Sequence, residues 1–376
     1  MAIQRGKIKK APAKEIVDYL IRPAIASDLQ RSYQTFLDIN KAHVLMLAKQ
    51  GIIEKDVAKQ ILQVTQEIAS MQDNPQFEII PDVEDLYFNF ERYLIKRTSL
   101  EVGGQQHTAR SRNDMFATQI RYDARRVFLE LCQHFNTLRR NFLQLALNNN
   151  DAVMSGYTHL QPSEPITLAH YCSAVLNAMS RDYERLSHVW TTINQCPLGG
   201  GSMGSTTFNI DRHYTSELLG FDKPLENSLD CVAGRDFALE MTAAMSMATL
   251  TFGRIAMDLT IWATPEYGYL EVDDSVAGCS SIMPQKKNLI GLEHVRAKAA
   301  HQEAFYVSIC TGMKNVPYMH CRDISSESMR YFWTAMTEFM QDTDLLNVSI
   351  KDIKVSKERM IDCARRNFCT VTELAN

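Results

Sequence analysis

The stretch GCSSIMPQKKN, Gly278 to Asn288, holds two adjacent serines, a proline, two amides and two lysines among small residues. Ser280 and Ser281 are both proton acceptors if activated, and the residues alone leave the choice between them open. Lys286 and Asn288 can stabilise a developing oxyanion, because a cation and an amide placed in advance cost no reorganisation when charge appears. Glu293, just beyond, can orient a histidine. A mobile loop of this kind can close its serine over a bound substrate.

Three further polar breaks supply matching groups. GGQQHTARSRND, Gly103 to Asp114, brings His107, Thr108, Ser111, Arg112 and Asn113 to the predicted start of a long helix. The free N–H groups and positive dipole end of such a terminus suit a carboxylate or a phosphate, and Arg112 can add a charge-assisted bond. SGYTHLQPSEP, Ser155 to Pro165, places Thr158 and His159 between a glycine and a proline. A histidine titrates near neutrality and can protonate a leaving group, although a lone histidine more often serves structure. CPLGGGSMGSTTFNIDR, Cys196 to Arg212, lacks the GxxxxGK[ST] pattern and follows no strand, so it is not a nucleotide phosphate loop. It shapes a cleft or joins two helices.

The elements that hold these breaks read as helices. Neither Gly nor Pro occurs between Ala109 and Ser155, between Ile166 and Cys196, or from Tyr318 onward. Ile120, Ala124, Val127, Leu131, Phe135, Leu138, Phe142 and Leu145 recur at steps of three and four, one apolar stripe of a helix predicted over Arg112–Asn149. Such a rod is about 55 Å long at 1.5 Å per residue, which points to a helix bundle shared between subunits. Phe77 to Ile80 is the best strand candidate. The breaks Val102–Asn113, Ser155–Pro165, Pro197–Thr207 and Ala277–Asn288 fall at helix ends, where ends from different chains can converge on one cleft.

Composition narrows the class. The chain has 376 residues, is 45% hydrophobic and carries a formal net charge of −4, so a large core is expected and disorder is not. The basic stretch Arg5 to Lys10 is short and terminal, a solvated tail and not a nucleic-acid surface. Nine cysteines without CxxC pairs or Cys/His ligand spacing imply reduced thiols in the cytoplasm, no disulfide framework and no metal site. No signal peptide opens the sequence, and no apolar run has membrane-spanning length, so no membrane partner is expected.

SSIMPQKKN resembles the signature loop of the fumarase/aspartase superfamily. HTARSRND, GYTHLQPSEPITLAHY and NSLDCVAGRDF (Asn227 to Phe237) are similar to the argininosuccinate lyase branch, from about Asp38 to the C-terminus and in the family's order. The resemblance implies an all-α, three-part elongated subunit with a long central helix bundle. Its expected parts are 1–106, 107–360, and 361–376 as the start of a truncated or missing C-terminal domain. It further implies a homotetramer with active sites shared between subunits, no cofactor, and a small dicarboxylate-bearing substrate. The implied reaction breaks a C–N or C–O bond of a succinyl-bearing substrate and releases fumarate. By the same resemblance Ser280 abstracts the proton, with Ser281 as the fallback, and Lys286 and Asn288 hold the aci-carboxylate. His159, oriented by Glu293, serves the leaving-group side, while Ser111, Arg112, Asn113, Thr158 and Gln161 hold the carboxylates.

Several positions depart from the family pattern. The N-terminal Trp-Gly-Gly-Arg-Phe-type segment is missing. Ala42 stands where a serine is usual, Tyr87 where a histidine is, Cys279 where a glycine is, and Leu289 where a proline is. In VPYMHCRDISSESM, Val316 to Met329, His320, Ser325 and Ser328 replace a Tyr, a Gln and a Lys that meet the amino-acid end of argininosuccinate. The succinyl end is thus retained and the distal end rebuilt, and the expectation is a lyase for a different N-substituted aspartate. The alternatives are argininosuccinate lyase itself, or a non-catalytic structural protein on the same scaffold.

Overall fold

A computed structural model of the chain describes residues 10–72 and 74–375. Apart from Lys10, the expected basic tail lies outside the described residues. The chain divides into two compact units. One takes in the chain up to Arg126 with Thr191–Gly234 and Pro317–Ser325; the other takes in Val127–Trp190, Arg235–Val316 and the chain from Ser326 on.

The first unit is built from helices α1 (Tyr33–Lys49), α2 (Lys55–Ser70), α3 (Leu86–Arg97) and the opening turns of α4 (Arg112–Asn148). Its core joins Phe36, Leu37, Ile39 and Leu47 of α1 to Ile61 of α2, Phe90 of α3 and Met115 of α4, all buried. Asp123 is buried here too, yet its Oδ2 accepts from Ser32 Oγ at 2.6 Å and from Gln119 Nε2 at 2.7 Å, and its Oδ1 accepts from Thr35 Oγ1. A buried carboxylate so bonded avoids the penalty of an unpaired charge.

Phe77 to Ile80 forms no strand, contrary to expectation. The Phe77 ring stacks on Tyr93 of α3, with centroids 4.6 Å apart. The side-chain amide of Asn89 does what a neighbouring strand would do: its oxygen accepts the Ile80 N–H at 2.7 Å and its nitrogen donates to the Ile80 carbonyl at 3.2 Å. With both backbone groups satisfied, no ladder is needed.

The second unit contains the rest of α4, then strands β1 (Val153–Thr158) and β2 (Gln161–Thr167), and helices α5 (Leu168–Ile193), α6 (Asp236–Trp262), α7 (Ile290–Met313), α8 (Ser328–Lys351) and α9 (Lys357–Arg366). Two-residue strands β3 (Gly278–Cys279) and β4 (Lys287–Asn288) lie between α6 and α7. The predicted α4 stripe is buried along its length, with Val127 half-buried. Phe135 of α4, Phe252 of α6 and Phe339 of α8 meet with centroids 5.6 to 6.2 Å apart, so three helices share one aromatic cluster. The architecture is the expected all-α bundle. The Gly- and Pro-containing break Ser155–Pro165, however, is an antiparallel hairpin and not a helix-end loop.

Candidate active site

In the first unit the site begins at the N-terminus of α4. Ser111 caps it: its Oγ accepts the Asn113 N–H at 3.2 Å, while Asp114 Oδ1 accepts the Ser111 N–H at 3.1 Å. The other Asp114 oxygen accepts the N–H groups of Gly199 and Gly201, each at 2.9 Å. Burial pushes this carboxyl up to about 6, against the pull of those N–H donors. The glycine-rich segment is thereby clasped to the helix start, and Asn113 Nδ2 adds a bond to the Ser202 carbonyl at 3.1 Å. Glycine is required in the clasp: a Cβ at Gly201, where φ is +64°, would meet the Ser205 carbonyl oxygen at 2.6 Å.

Arg112 is already held. Its Nη1 lies 2.8 Å from Asp85 Oδ2 and 3.1 Å from Glu84 Oε2, and its guanidinium sits 4.2 Å from the Phe88 ring centroid. Asp85 uses its other oxygen to cap α3 at the Phe88 N–H. A cavity of about 230 Å³ opens beside this pair, lined by Arg112, Asn113, Phe116, His320, Cys321 and Arg322. Two arginines, an amide and an imidazole in its lining suit a ligand with anionic and hydrogen-bonding groups.

The same unit holds a network that the sequence did not disclose. Tyr87 is fully buried, and its hydroxyl accepts from Arg110 Nη2 at 3.1 Å. The phenol also lies 2.8 Å from His107 Nδ1 and donates to Glu91 Oε1 at 3.4 Å. Burial, with Arg110 and Arg112, pushes His107 down to about 4, which keeps the ring neutral. Burial raises the Tyr87 phenol to about 12. His43 adds a bond to the Thr108 carbonyl at 2.8 Å. The turn leading into Ser111–Asn113 is thus tied from two sides.

In the second unit, pairing of Gly278 with Asn288 and of Cys279 with Lys287 closes the signature loop at its base. The two serines differ. Ser280 is half-buried and its Oγ accepts the Met283 N–H at 3.1 Å, whereas Ser281 is exposed. A backbone donor on the hydroxyl oxygen favours the deprotonated form that a base needs. The two lysines differ as well. Lys287 is paired with Asp274 at 2.7 Å and with Glu271 at 3.7 Å, while Lys286 is exposed and makes no ion pair among the described residues. Asn288 lies in β4, and Glu293 stands exposed in the first turn of α7.

Thr158, His159 and Gln161 lie exposed at the tip of the β1–β2 hairpin. The distal positions divide. His320 lines the cavity of the first unit, and Ser325, in a π-helical turn (Asp323–Glu327), has a buried hydroxyl without a partner among the described residues. Ser328 is 3% exposed and belongs to the second unit, where a Cβ added to Gly312 would meet its Oγ at 2.6 Å. The clasp by Asp114 had a sequence signal, the Ser-x-x-Asp spacing of a capping box at Ser111. The Tyr87–His107 contact, 20 residues apart, had none.

Comparison with known proteins gives a consistent set. A family model described as lyase matches residues 26–301. The chain is 46% identical to argininosuccinate lyase 1 of Shouchella clausii (strain KSM-K16), over 99% of this chain and 74% of that protein. It is 34% identical to argininosuccinate lyase of Methanocaldococcus jannaschii, over 100% of this chain and 76% of that protein. Among solved structures it resembles EDDS lyase in complex with formate, with TM-score 0.83, 28% identity, and coverage of 97% and 72%. The class II fumarase of Schistosoma mansoni shares the fold, with TM-score 0.77, 16% identity, and coverage of 92% and 80%.

Proposed function

The chain belongs to the argininosuccinate lyase branch of the fumarase/aspartase superfamily and is a carbon–nitrogen lyase, and from that premise we propose that it releases fumarate from an N-substituted aspartate other than argininosuccinate. Ser280, as alkoxide, takes a proton from the carbon beside a carboxylate. The electron pair left behind is held as an aci-carboxylate by Lys286 and Asn288. The pair held in the aci-carboxylate then forms the double bond of fumarate as the C–N bond breaks, and the amine leaves with the C–N pair and a proton from His159, oriented by Glu293. Ser111, Arg112, Asn113, Thr158 and Gln161 hold the carboxylates. Ser281 serves as base only if Ser280 does not.

The observation that carries the catalytic reading is the loop's asymmetry: one serine bonded by a backbone N–H, and one lysine without an ion pair among the described residues. For the substrate, the supporting observation is the rebuilt distal end. His320 lines the cavity and Ser328 is buried against Gly312, where the family pattern has a tyrosine and a lysine. A site built for one set of hydrogen bonds rejects a partner that cannot make them. The second reading is argininosuccinate lyase itself, favoured by relatives of that name along the whole chain.

The acting species in this reading is a homotetramer with sites shared between subunits. Met247, Leu250 and Met257 of α6 are 41%, 51% and 48% exposed at spacings of three and seven, an apolar seam of the kind that pairs helices. The nine cysteines are all free thiols, which fits a cytoplasmic enzyme. Among the described residues no helix is long and apolar enough to cross a membrane.

The deciding experiment is run in reverse. Fumarate is incubated with arginine and with a panel of other amines and amino acids, and new N-substituted aspartates are identified by mass spectrometry. The expected result is a preferred partner other than arginine. Arginine as the best partner, at ordinary enzyme efficiency, establishes the second reading.

A further inference from the structure

The hairpin that presents His159 has a firm base and an unfavourable tip. At the base, a bulge between Ser155 and Tyr157 re-aims β1, and Gly156 fits it because a Cβ would meet the Glu164 carbonyl oxygen at 2.8 Å. Tyr157 bonds to the Tyr269 hydroxyl at 2.8 Å, and Pro162 and Pro165 stiffen β2 opposite Tyr157 and Ser155.

At the tip, pairing of Thr158 with Gln161 leaves His159 and Leu160 as a two-residue connection. Their φ angles of +56° and +59° are the left-handed values that a type I′ turn demands at both positions. Asn-Gly or Asp-Gly meets that demand at little cost, and histidine tolerates it better than most residues. A bulky leucine does not. Leu160 is also 69% exposed, so its side chain recovers little by burial within its own chain. Strain and apolar exposure therefore coincide at the neighbour of the candidate acid, a combination that persists where something else offsets it.

We infer that Leu160 is a positioning residue for His159: its side chain packs against a second copy of this chain and thereby seats the imidazole for protonation of the leaving amine. This rests on the lyase reading and on the assembly proposed above. The occupant is taken to be a second copy because the unit that carries the hairpin also exposes the apolar α6 seam on which the proposed assembly rests. Leu160 acts through His159 and need not touch the substrate.

The test compares wild type with Leu160→Gly and Leu160→Met. Glycine takes the turn's φ freely, so its unfolding midpoint in urea, measured with both proteins diluted until dissociated, stays at or above the wild-type value. With fumarate and the best amine of the panel, kcat is expected to fall at least about tenfold for Leu160→Gly with KM changed by less than about threefold. Leu160→Met, which keeps an apolar side chain, restores most of kcat. Native mass spectrometry over a dilution series is expected to show Leu160→Gly dissociating at a protein concentration at least several-fold higher than wild type.

An unchanged kcat overturns the inference. A KM effect without a kcat effect does so too, because Leu160 then touches substrate, as does a lowered midpoint, because the leucine then supports its own fold. A wild type that couples fumarate to no amine refutes the lyase reading, and the dilution series alone then judges the leucine. If Leu160→Gly dissociates as wild type does, or wild type is monomeric, Leu160 has no partner and the inference is wrong.

Discussion

Asp342 offers a test of the bundle's energetics. It lies on α8, is completely buried, and neither carboxylate oxygen has a hydrogen-bond partner among the described residues. Burial pushes its carboxyl from 3.8 up to about 8; Lys298 lowers it and Glu338 raises it. Because the folded value lies above the unfolded one, this group's contribution is fully present below pH 3.8 and is lost as pH rises, the loss ending near pH 8. Each pH unit in that window costs about 1.4 kcal/mol, so by pH 7 the accumulated loss is about 4 kcal/mol. Asp342→Asn keeps the shape and removes the ionisation. Its amide is also unpartnered, but that penalty is the same at every pH. Lys298 and Glu338, 3.8 Å apart, remain in both proteins. Urea unfolding of both at pH 5 and pH 7 is the assay. The stability difference should move in favour of the variant by about 2–3 kcal/mol between the two pH values. A difference that stays constant across that interval refutes the reasoning, because Asp342 would then ionise alike in the folded and unfolded chains.

Two further outcomes concern the site. Ser280→Ala should abolish turnover while leaving the unfolding midpoint within about 0.5 kcal/mol of wild type; an active Ser280→Ala beside an inactive Ser281→Ala moves the base to Ser281. Tyr87→Phe removes the hydroxyl that bonds to His107 and accepts from Arg110. It should lower stability in urea by about 1–3 kcal/mol and weaken fumarate binding measured by calorimetry, since the turn into Ser111–Asn113 loses a tether; unchanged affinity would show that the tether does not reach the site.

The amino-acid order alone determined the helical class, the course of α4 and its buried stripe, and the four breaks that carry the candidate chemistry. Helix periodicity is local, so Ile120 through Leu145 report their common face without knowledge of what covers it. The motifs around Ser111, Thr158 and Ser280 were legible for the same reason, being contiguous. Pairing is not local. The β1–β2 hairpin was hidden because its turn is His-Leu and not Asn-Gly, and because two prolines sit in β2. Phe77–Ile80 misled in the opposite direction: its backbone groups are taken by the Asn89 side chain. Adjacent identical residues could be told apart only in three dimensions. Ser280 has the Met283 N–H and Ser281 does not; Lys287 has Asp274, and Lys286 has no ion pair among the described residues. Composition gives two adjacent groups the same intrinsic chemistry, and only the donors and charges that the folded chain brings beside each one make them unequal.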